Sequence, residues 1–223
     1  DRIDYSSDTG TAPAKGPLAN IDILSSATGN ASFGYFANYV ASVDRVDYSN
    51  DTATAVAKGP LTVGRYYMGA TSRKAYGLPD TSRISPVATN FGYFGGGRNI
   101  SSNGVTTVDR VDYSNDTATA AAKGPLSAAR AYIGATGNAS FGYFGGGIVP
   151  GPATLSTVDR IGYSNDTATA SVKGPLSLAR TSLAATGNSS FGYFAGGYVS
   201  ADISTVDRID YSNDTPTAVV KGP

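Results

Sequence analysis

The stretch SFGYFAGG at residues 190–197 decides how this chain is to be read. It holds two of the eight phenylalanines, and all eight lie in four copies of FGYF, beginning at Phe33, Phe91, Phe141 and Phe191. A second phrase, D-R-[IV]-[DG]-Y-S, occurs five times, beginning at Asp1, Asp44, Asp109, Asp159 and Asp207. The spacings of 43, 65, 50 and 48 residues are those of a propeller or similar array, not of helical repeats, which run near 33–34.

Working outward from Phe191, one unit parses into four strands. The first runs from about Ala179 to Ala185 and ends at the turn TGN; the second is FGYFAGG. The third is TVDRIDY, and the turn SNDT delivers the fourth, TAVV. Lys-Gly-Pro then closes the unit, recurring at Pro17, Pro60, Pro125, Pro175 and Pro223. In FGYF, Phe191 and Tyr193 point to one face, Gly192 and Phe194 to the other. Aromatic rings on both faces suit a sheet packed on both sides, with the glycine leaving room for a neighbouring ring. Core packing explains FGYF more simply than ligand contact does.

Composition agrees with strands. Gly is abundant (28 residues), while Glu, Gln, His, Cys and Trp are absent and all 17 acidic residues are Asp. Net charge is zero and only 15% of residues are charged, which offers no electrostatic footprint for nucleic acid or an anionic membrane. No apolar run approaches the ~20 residues that span a bilayer. No signal peptide or initiator Met opens the sequence, so a processed or partial chain is expected.

These features resemble the kelch-type β-propeller repeat. Arg65, Arg130 and Arg180 match that family's arginine opening the first strand, and Gly95-Gly96, Gly145-Gly146 and Gly196-Gly197 its glycine pair. Tyr48, Tyr113, Tyr163 and Tyr211 match its third-strand tyrosine. Where the family places Trp, Ala55, Ala120, Ala170 and Ala218 stand, implying thinner packing between blades. The first full unit lacks both the glycine pair and the arginine. The wording of the D-R-[IV]-[DG]-Y-S-N-D-T and K-G-P-L phrases also resembles repeats in marine phage (cyanophage) virion and tail proteins. The resemblance implies an all-β propeller of four-stranded antiparallel blades. Residues 1–17 form a half-blade, followed by blades at 18–60, 61–125 (with an inserted loop at 72–90), 126–175 and 176–223.

Four first-and-second-strand halves cannot match five third-and-fourth-strand halves. Joining the ends leaves one half without its mate, and simple head-to-tail pairing of subunits fails likewise. A segment of a longer array is the expected explanation. A four-bladed ring with a displaced half is the second.

Repeated residues build blades, and unique loops are where recognition is expected. The second-to-third-strand loops differ in every unit and contain Arg98 and Tyr198; the 72–90 insertion contains Arg73, Lys74, Tyr76 and Arg83. These six are the candidate binding residues, although neutral surface tolerance is the simpler reading of the insertion. The arginines Arg65, Arg130 and Arg180 either ring a channel mouth or, the simpler reading, pair with the repeated Asp-Arg phrase. Asp44, Asp109, Asp159 and Asp207 could ring a calcium ion, but no EF-hand-like spacing supports this. Eight N-x-[ST] sequons occur. Asn30, Asn138, Asn188 and Asn99 are the expected glycan acceptors if any are used, since Asp weakens the N-D-T sites. Turn chemistry explains most of them without glycans.

With no His, Cys or Glu, no His-based triad or metal centre and no thiol nucleophile can be assembled. No enzyme activity, cofactor or metal is expected. The reading is a non-enzymatic structural and adhesive propeller in a virion, tail fibre or extracellular filament. Its expected partners are a protein or carbohydrate surface and neighbouring subunits, with no nucleic acid or membrane. The alternative is an intracellular kelch-type adaptor that binds protein.

Overall fold

A computed structural model describes residues 1–3, 9–20, 25–72, 91–151 and 153–223. Among them four antiparallel four-stranded sheets follow one another along the chain. The first comprises β1 (Ser26–Gly29), β2 (Phe33–Ala37), β3 (Val43–Asp47) and β4 (Val56–Lys58). A two-stranded ribbon pairs β5 (Arg65–Tyr66) with β8 (Arg98–Asn99), and interleaves with the second sheet. That sheet holds β6 (Gly69–Ser72), β7 (Phe91–Gly95), β9 (Val108–Asp112) and β10 (Ala121–Lys123). The third has β11 (Gly134–Gly137), β12 (Phe141–Gly145), β13 (Val158–Gly162) and β14 (Ser171–Lys173). The fourth has β15 (Ala184–Gly187), β16 (Phe191–Ala195), β17 (Val206–Asp210) and β18 (Val219–Gly222). Helix is confined, among the described residues, to one 3-10 turn at Tyr163–Asn165.

Local chemistry sets each hairpin. The Asn138 side-chain oxygen accepts the amides of Ser140 (2.9 Å) and Phe141 (3.0 Å), and Asn30 and Asn188 repeat this, closing the turn before FGYF. After the third strand, Asp47, Asp112 and Asp210 accept the amide and hydroxyl of the serine two residues on. In the third unit Gly162 replaces that aspartate, and there the turn tightens into the 3-10 form. Left-handed backbone falls on Gly96-Gly97, Gly146-Gly147 and Gly196-Gly197, with φ of 63° and 101° at the first two, so in the second and third units the pair lies one residue later than expected and Gly95 and Gly145 end the strand instead.

FGYF divides between neighbours as alternation requires. Tyr143, fully buried, stacks on Tyr211 of the following unit at 4.8 Å, and the pairs Tyr35–Tyr113 and Tyr93–Tyr163 do the same. Phe94, Phe144 and Phe194 are also fully buried; the Phe144 ring lies against Gly69 and Gly95 of the preceding unit, and Phe194 against Gly145. The leading phenylalanines are only half-buried. Each is covered by the third-strand arginine of its own unit, as Arg160 lies 4.3 Å above Phe141.

The first strand begins later than expected, at Ala184 instead of about Ala179. Ser182 has φ of 58°, as do Tyr67 and Tyr132 at the matching positions (57° each), and left-handed backbone interrupts a strand. The arginine before this kink turns inward. Arg65, Arg130 and Arg180 are fully buried against Asp109, Asp159 and Asp207 at 3.0–3.1 Å, so the channel-mouth expectation fails. Each also donates to the carbonyl of its unit's last FGYF phenylalanine, at 2.9–3.0 Å. Arg65 Nη1 faces Asp109 without hydrogen-bond alignment, so its contact is ionic while Nη2 makes the directional bond. Burial pulls the Arg65 and Arg130 guanidiniums below the ordinary arginine value, against the opposing pull of Asp109 and Asp159.

A second set of charges joins one unit to the next. Asp116 of the second unit receives the Tyr35 hydroxyl (2.9 Å), the Arg45 guanidinium (2.7 Å) and the Lys58 ammonium (3.2 Å), all from the first. Tyr93, Arg110 and Lys123 converge likewise on Asp166, and Tyr143, Arg160 and Lys173 on Asp214. Burial pushes the Asp116 carboxyl up, but the Tyr35 hydroxyl, Lys58 and Arg45 outweigh it and hold it below the usual carboxylate range. Backbone bonds complete the joint: Gly124 N donates to Asp166 O, and Ala170 N to Pro125 O, both at 2.8 Å. Lys-Gly-Pro is therefore the coupling segment, not mere punctuation. The buried alanines Ala55, Ala120, Ala170 and Ala218 sit where the preceding Lys-Gly-Pro crosses. The opening half-unit joins the first sheet in the same way, with Arg2 and Lys15 on Asp51 at 2.9 and 3.1 Å.

Candidate functional site

The loop between the second and third strands and the segment preceding the first strand meet at one end of the array. The β5–β8 pairing and the single bridges Ala131–Ile148 and Thr181–Tyr198 tie them together in successive units. At this end four tyrosines from three units form a continuous cluster. Tyr39 lies 5.4 Å from Tyr66, Tyr66 lies 4.9 Å from Tyr67, and Tyr67 stacks on Tyr132 at 3.7 Å. The Arg98 guanidinium sits 5.3 Å over the Tyr132 ring, and the Tyr66 hydroxyl shares a 3.1 Å hydrogen bond with Ser102.

The backbone sets this cluster in place. Tyr67 and Tyr132 occupy the left-handed position of their units, and Tyr132 N donates to Tyr67 O at 2.9 Å. Ser182 N donates to Tyr132 O in turn, so the kink is a repeated scaffold feature. What is particular to the second and third units is a tyrosine at the kink. Burial, reinforced by the Tyr67 hydroxyl and opposed by Arg98, pushes the Tyr132 phenol up to about 12. The ring is therefore a neutral donor across the physiological range.

Tyr39 is 40% exposed, while the faces of Tyr67 and Tyr132 are largely taken by each other and by Arg98. The surface thus offers ring faces, phenol hydroxyls and one cation, all in a row. Such a set can stack against a sugar ring or an apolar side chain and hydrogen-bond its rim. It contains no nucleophile with an adjacent base.

Of the residues expected from sequence, Arg98 belongs to this cluster. Tyr198 occupies the matching loop position two units later and is exposed, but it has no ring partner among the described residues. Arg73, Lys74, Tyr76 and Arg83 lie outside the described residues. The Asn99 side-chain oxygen accepts the amides of Ser101 and Asn103, so Asn99, like Asn30, Asn138 and Asn188, has a turn-forming role. Asp109, Asp159 and Asp207 are bound by arginines, and Asp44 accepts from Asn20; they do not converge on an ion. Among the described residues no group of acidic side chains could hold a metal.

Sequence reasoning missed Tyr39, Tyr66, Tyr67 and Tyr132. The available signal was the unrepeated pair Tyr66-Tyr67 directly after Arg65, echoed by Tyr132 after Arg130 and lost in the fourth unit. No protein-family model matches the chain, and no curated protein matches it.

Proposed function

We propose that this chain is a non-enzymatic structural and adhesive array, a kelch-like β-propeller or an arc of one, that holds a protein or glycan surface on its tyrosine cluster. The carrying observation is the unrepeated row Tyr39, Tyr66, Tyr67 and Tyr132 with Arg98, set on units whose repeated charges are spent internally. Consecutive first strands adjoin, β1 with β6, β6 with β11 and β11 with β15, which supports blades fanning about an axis. A component of a virion, tail fibre or extracellular filament fits an array whose repeats couple end to end. Recognition rests on shape, ring contacts and hydrogen bonds, so affinity changes less than about threefold between low and moderate salt.

The experiment is a glycan array and host-cell binding measurement on Tyr39→Ala, Tyr66→Ala and Arg98→Ala, singly and combined, with thermal unfolding alongside. Each should lose about tenfold in affinity, the worth of roughly 1.4 kcal/mol, with an unchanged melting temperature. Unaltered binding by the triple variant would refute the assignment.

A further inference from the structure

Among the described residues the joint between units appears four times, and its donor half appears a fifth time without an acceptor. In the fourth unit Tyr193, Arg208, Lys221 and Gly222 stand where Tyr143, Arg160, Lys173 and Gly174 stand in the third. The third-unit set is engaged by Asp214 and by the backbone of Pro216. The fourth-unit set has no such partner among the described residues. Tyr193 is half-buried where Tyr35, Tyr93 and Tyr143 are fully buried, and Lys221 is exposed where its counterparts are not. The Arg208 Nε is buried without a hydrogen-bond partner. A Cβ on Gly16, Gly59, Gly124 or Gly174 would fall within 1.8–1.9 Å of the next unit's backbone, whereas one on Gly222 would meet nothing within 4 Å. Among the described residues, every lysine and arginine except Arg98, Arg208 and Lys221 stands in an ion pair.

We propose that the outer face of the fourth sheet is a receptor for a further unit of this same repeat, whose turn aspartate seats among Tyr193, Arg208 and Lys221. The charge complementarity is that of the three occupied joints, two cations and a phenol around one carboxylate. The occupant is a full unit, because each complete joint also receives a second-strand phenylalanine, as Phe94, Phe144 and Phe194 do. A third-and-fourth-strand half alone has no such ring. Ala195, standing where Gly95 and Gly145 receive that ring, does not block it. Ala37 holds the same position in the first sheet, is fully buried, and shares a core with Phe94. Ala184 likewise stands where the first unit has Ser26, whose hydroxyl donates to Met68 O across an occupied joint. This inference concerns assembly and does not depend on what the tyrosine cluster binds.

The test appends a copy of residues 126–175 after Pro223 and follows tyrosine nitration by mass spectrometry. In the 223-residue chain Tyr193 should react while Tyr35, Tyr93 and Tyr143 resist. In the extended chain Tyr193 reactivity should fall roughly tenfold or more. Asp166→Asn in the appended copy alone should restore it. Undiminished reactivity beside an appended unit whose own strands are protected would overturn the proposal. Protection that already rises with concentration in the 223-residue chain would also overturn it, giving the face to a second copy. If the extension does not fold, the unextended chain still decides. Arg160→Gln should lower its melting temperature by about 2–4 °C or more, and Arg208→Gln, which gives up only its cover over Phe191, by clearly less. Equal losses would show the fourth joint already occupied and end the proposal.

Discussion

Replacing Gly124 by alanine tests whether Lys-Gly-Pro couples the units. The new Cβ would lie 1.8 Å from Ala168 O and 2.4 Å from its carbonyl carbon, both backbone atoms of the next unit. Reaching ordinary contact requires the two segments to part by about 1.5 Å, since carbon–oxygen contacts rarely close below roughly 3.3 Å. That displacement breaks two backbone bonds, Gly124 N to Asp166 O and Ala170 N to Pro125 O, and loosens Lys123 from Asp166. Two hydrogen bonds at about 1 kcal/mol each, with an overpacking cost of about 1–3, give a loss of about 3–5 kcal/mol. The matched control is Gly222→Ala, where the space is open. There alanine should be neutral or stabilise by about 0.4–1 kcal/mol through the unfolded chain. Repeat arrays unfold in parts, so the assay is native-state hydrogen exchange resolved by unit, with urea melts as support. The loss should concentrate in the third and fourth units. A Gly124→Ala cost under about 1 kcal/mol, or a Gly222→Ala cost as large as that of Gly124→Ala, would refute the coupling argument.

Phe144→Ala should cost about 3–5 kcal/mol because its ring is fully buried between units, and a loss under about 1 would mean the stacking is wrong there. Phe141→Ala, on a half-buried ring under Arg160, should cost less in the same urea melt. Asp159→Asn strands the buried Arg130 charge and should cost about 3–5 kcal/mol; adding Arg130→Met should recover part of it, and additive losses would argue against the pair. Alkaline titration followed at 295 nm should show Tyr132 ionising near 12, above its ordinary 10.0. The folded state then holds this proton more tightly, so its contribution is complete below pH 10 and is lost as pH rises through about 12. An ordinary titration of Tyr132 would count against the Tyr67–Tyr132 stack.

The strands were legible because period and alternation are properties of a single unit. FGYF, VDR[IV] and the turns around Asn138 and Asp112 each declare their conformation within a few residues. Joints between units are not a property of one unit. Asp116, Asp166 and Asp214 read as turn residues in S-N-D-T, and only the stacked sheets show them receiving a tyrosine, an arginine and a lysine from the unit before. The left-handed kink at Tyr67, Tyr132 and Ser182 was invisible for the opposite reason: none is a glycine, and no composition cue marks it. The tyrosine cluster escaped because alignment of repeats draws attention to sameness, and of its members only Tyr67 and Tyr132 share a repeat position.

The zero net charge has a structural source that bears on recognition. Apart from Arg208 and Lys221, each repeated arginine or lysine among the described residues has a repeated aspartate to meet, Arg130 with Asp159 inside a unit and Arg160 with Lys173 on Asp214 across a joint. Charges paired at about 3 Å cancel within a few ångströms and project little field beyond the roughly 8–10 Å screening length. The scaffold therefore repeats without accumulating potential, however many units stack. What remains free is local. Among the described residues Arg98, in an unrepeated loop, has no ion-pair partner, and neither have Arg208 and Lys221, whose proposed partner is the turn aspartate of a further unit. Among the described residues, a ligand or a neighbour meets unpaired cations at two places, the tyrosine cluster at one end of the sheets and the outer face of the fourth.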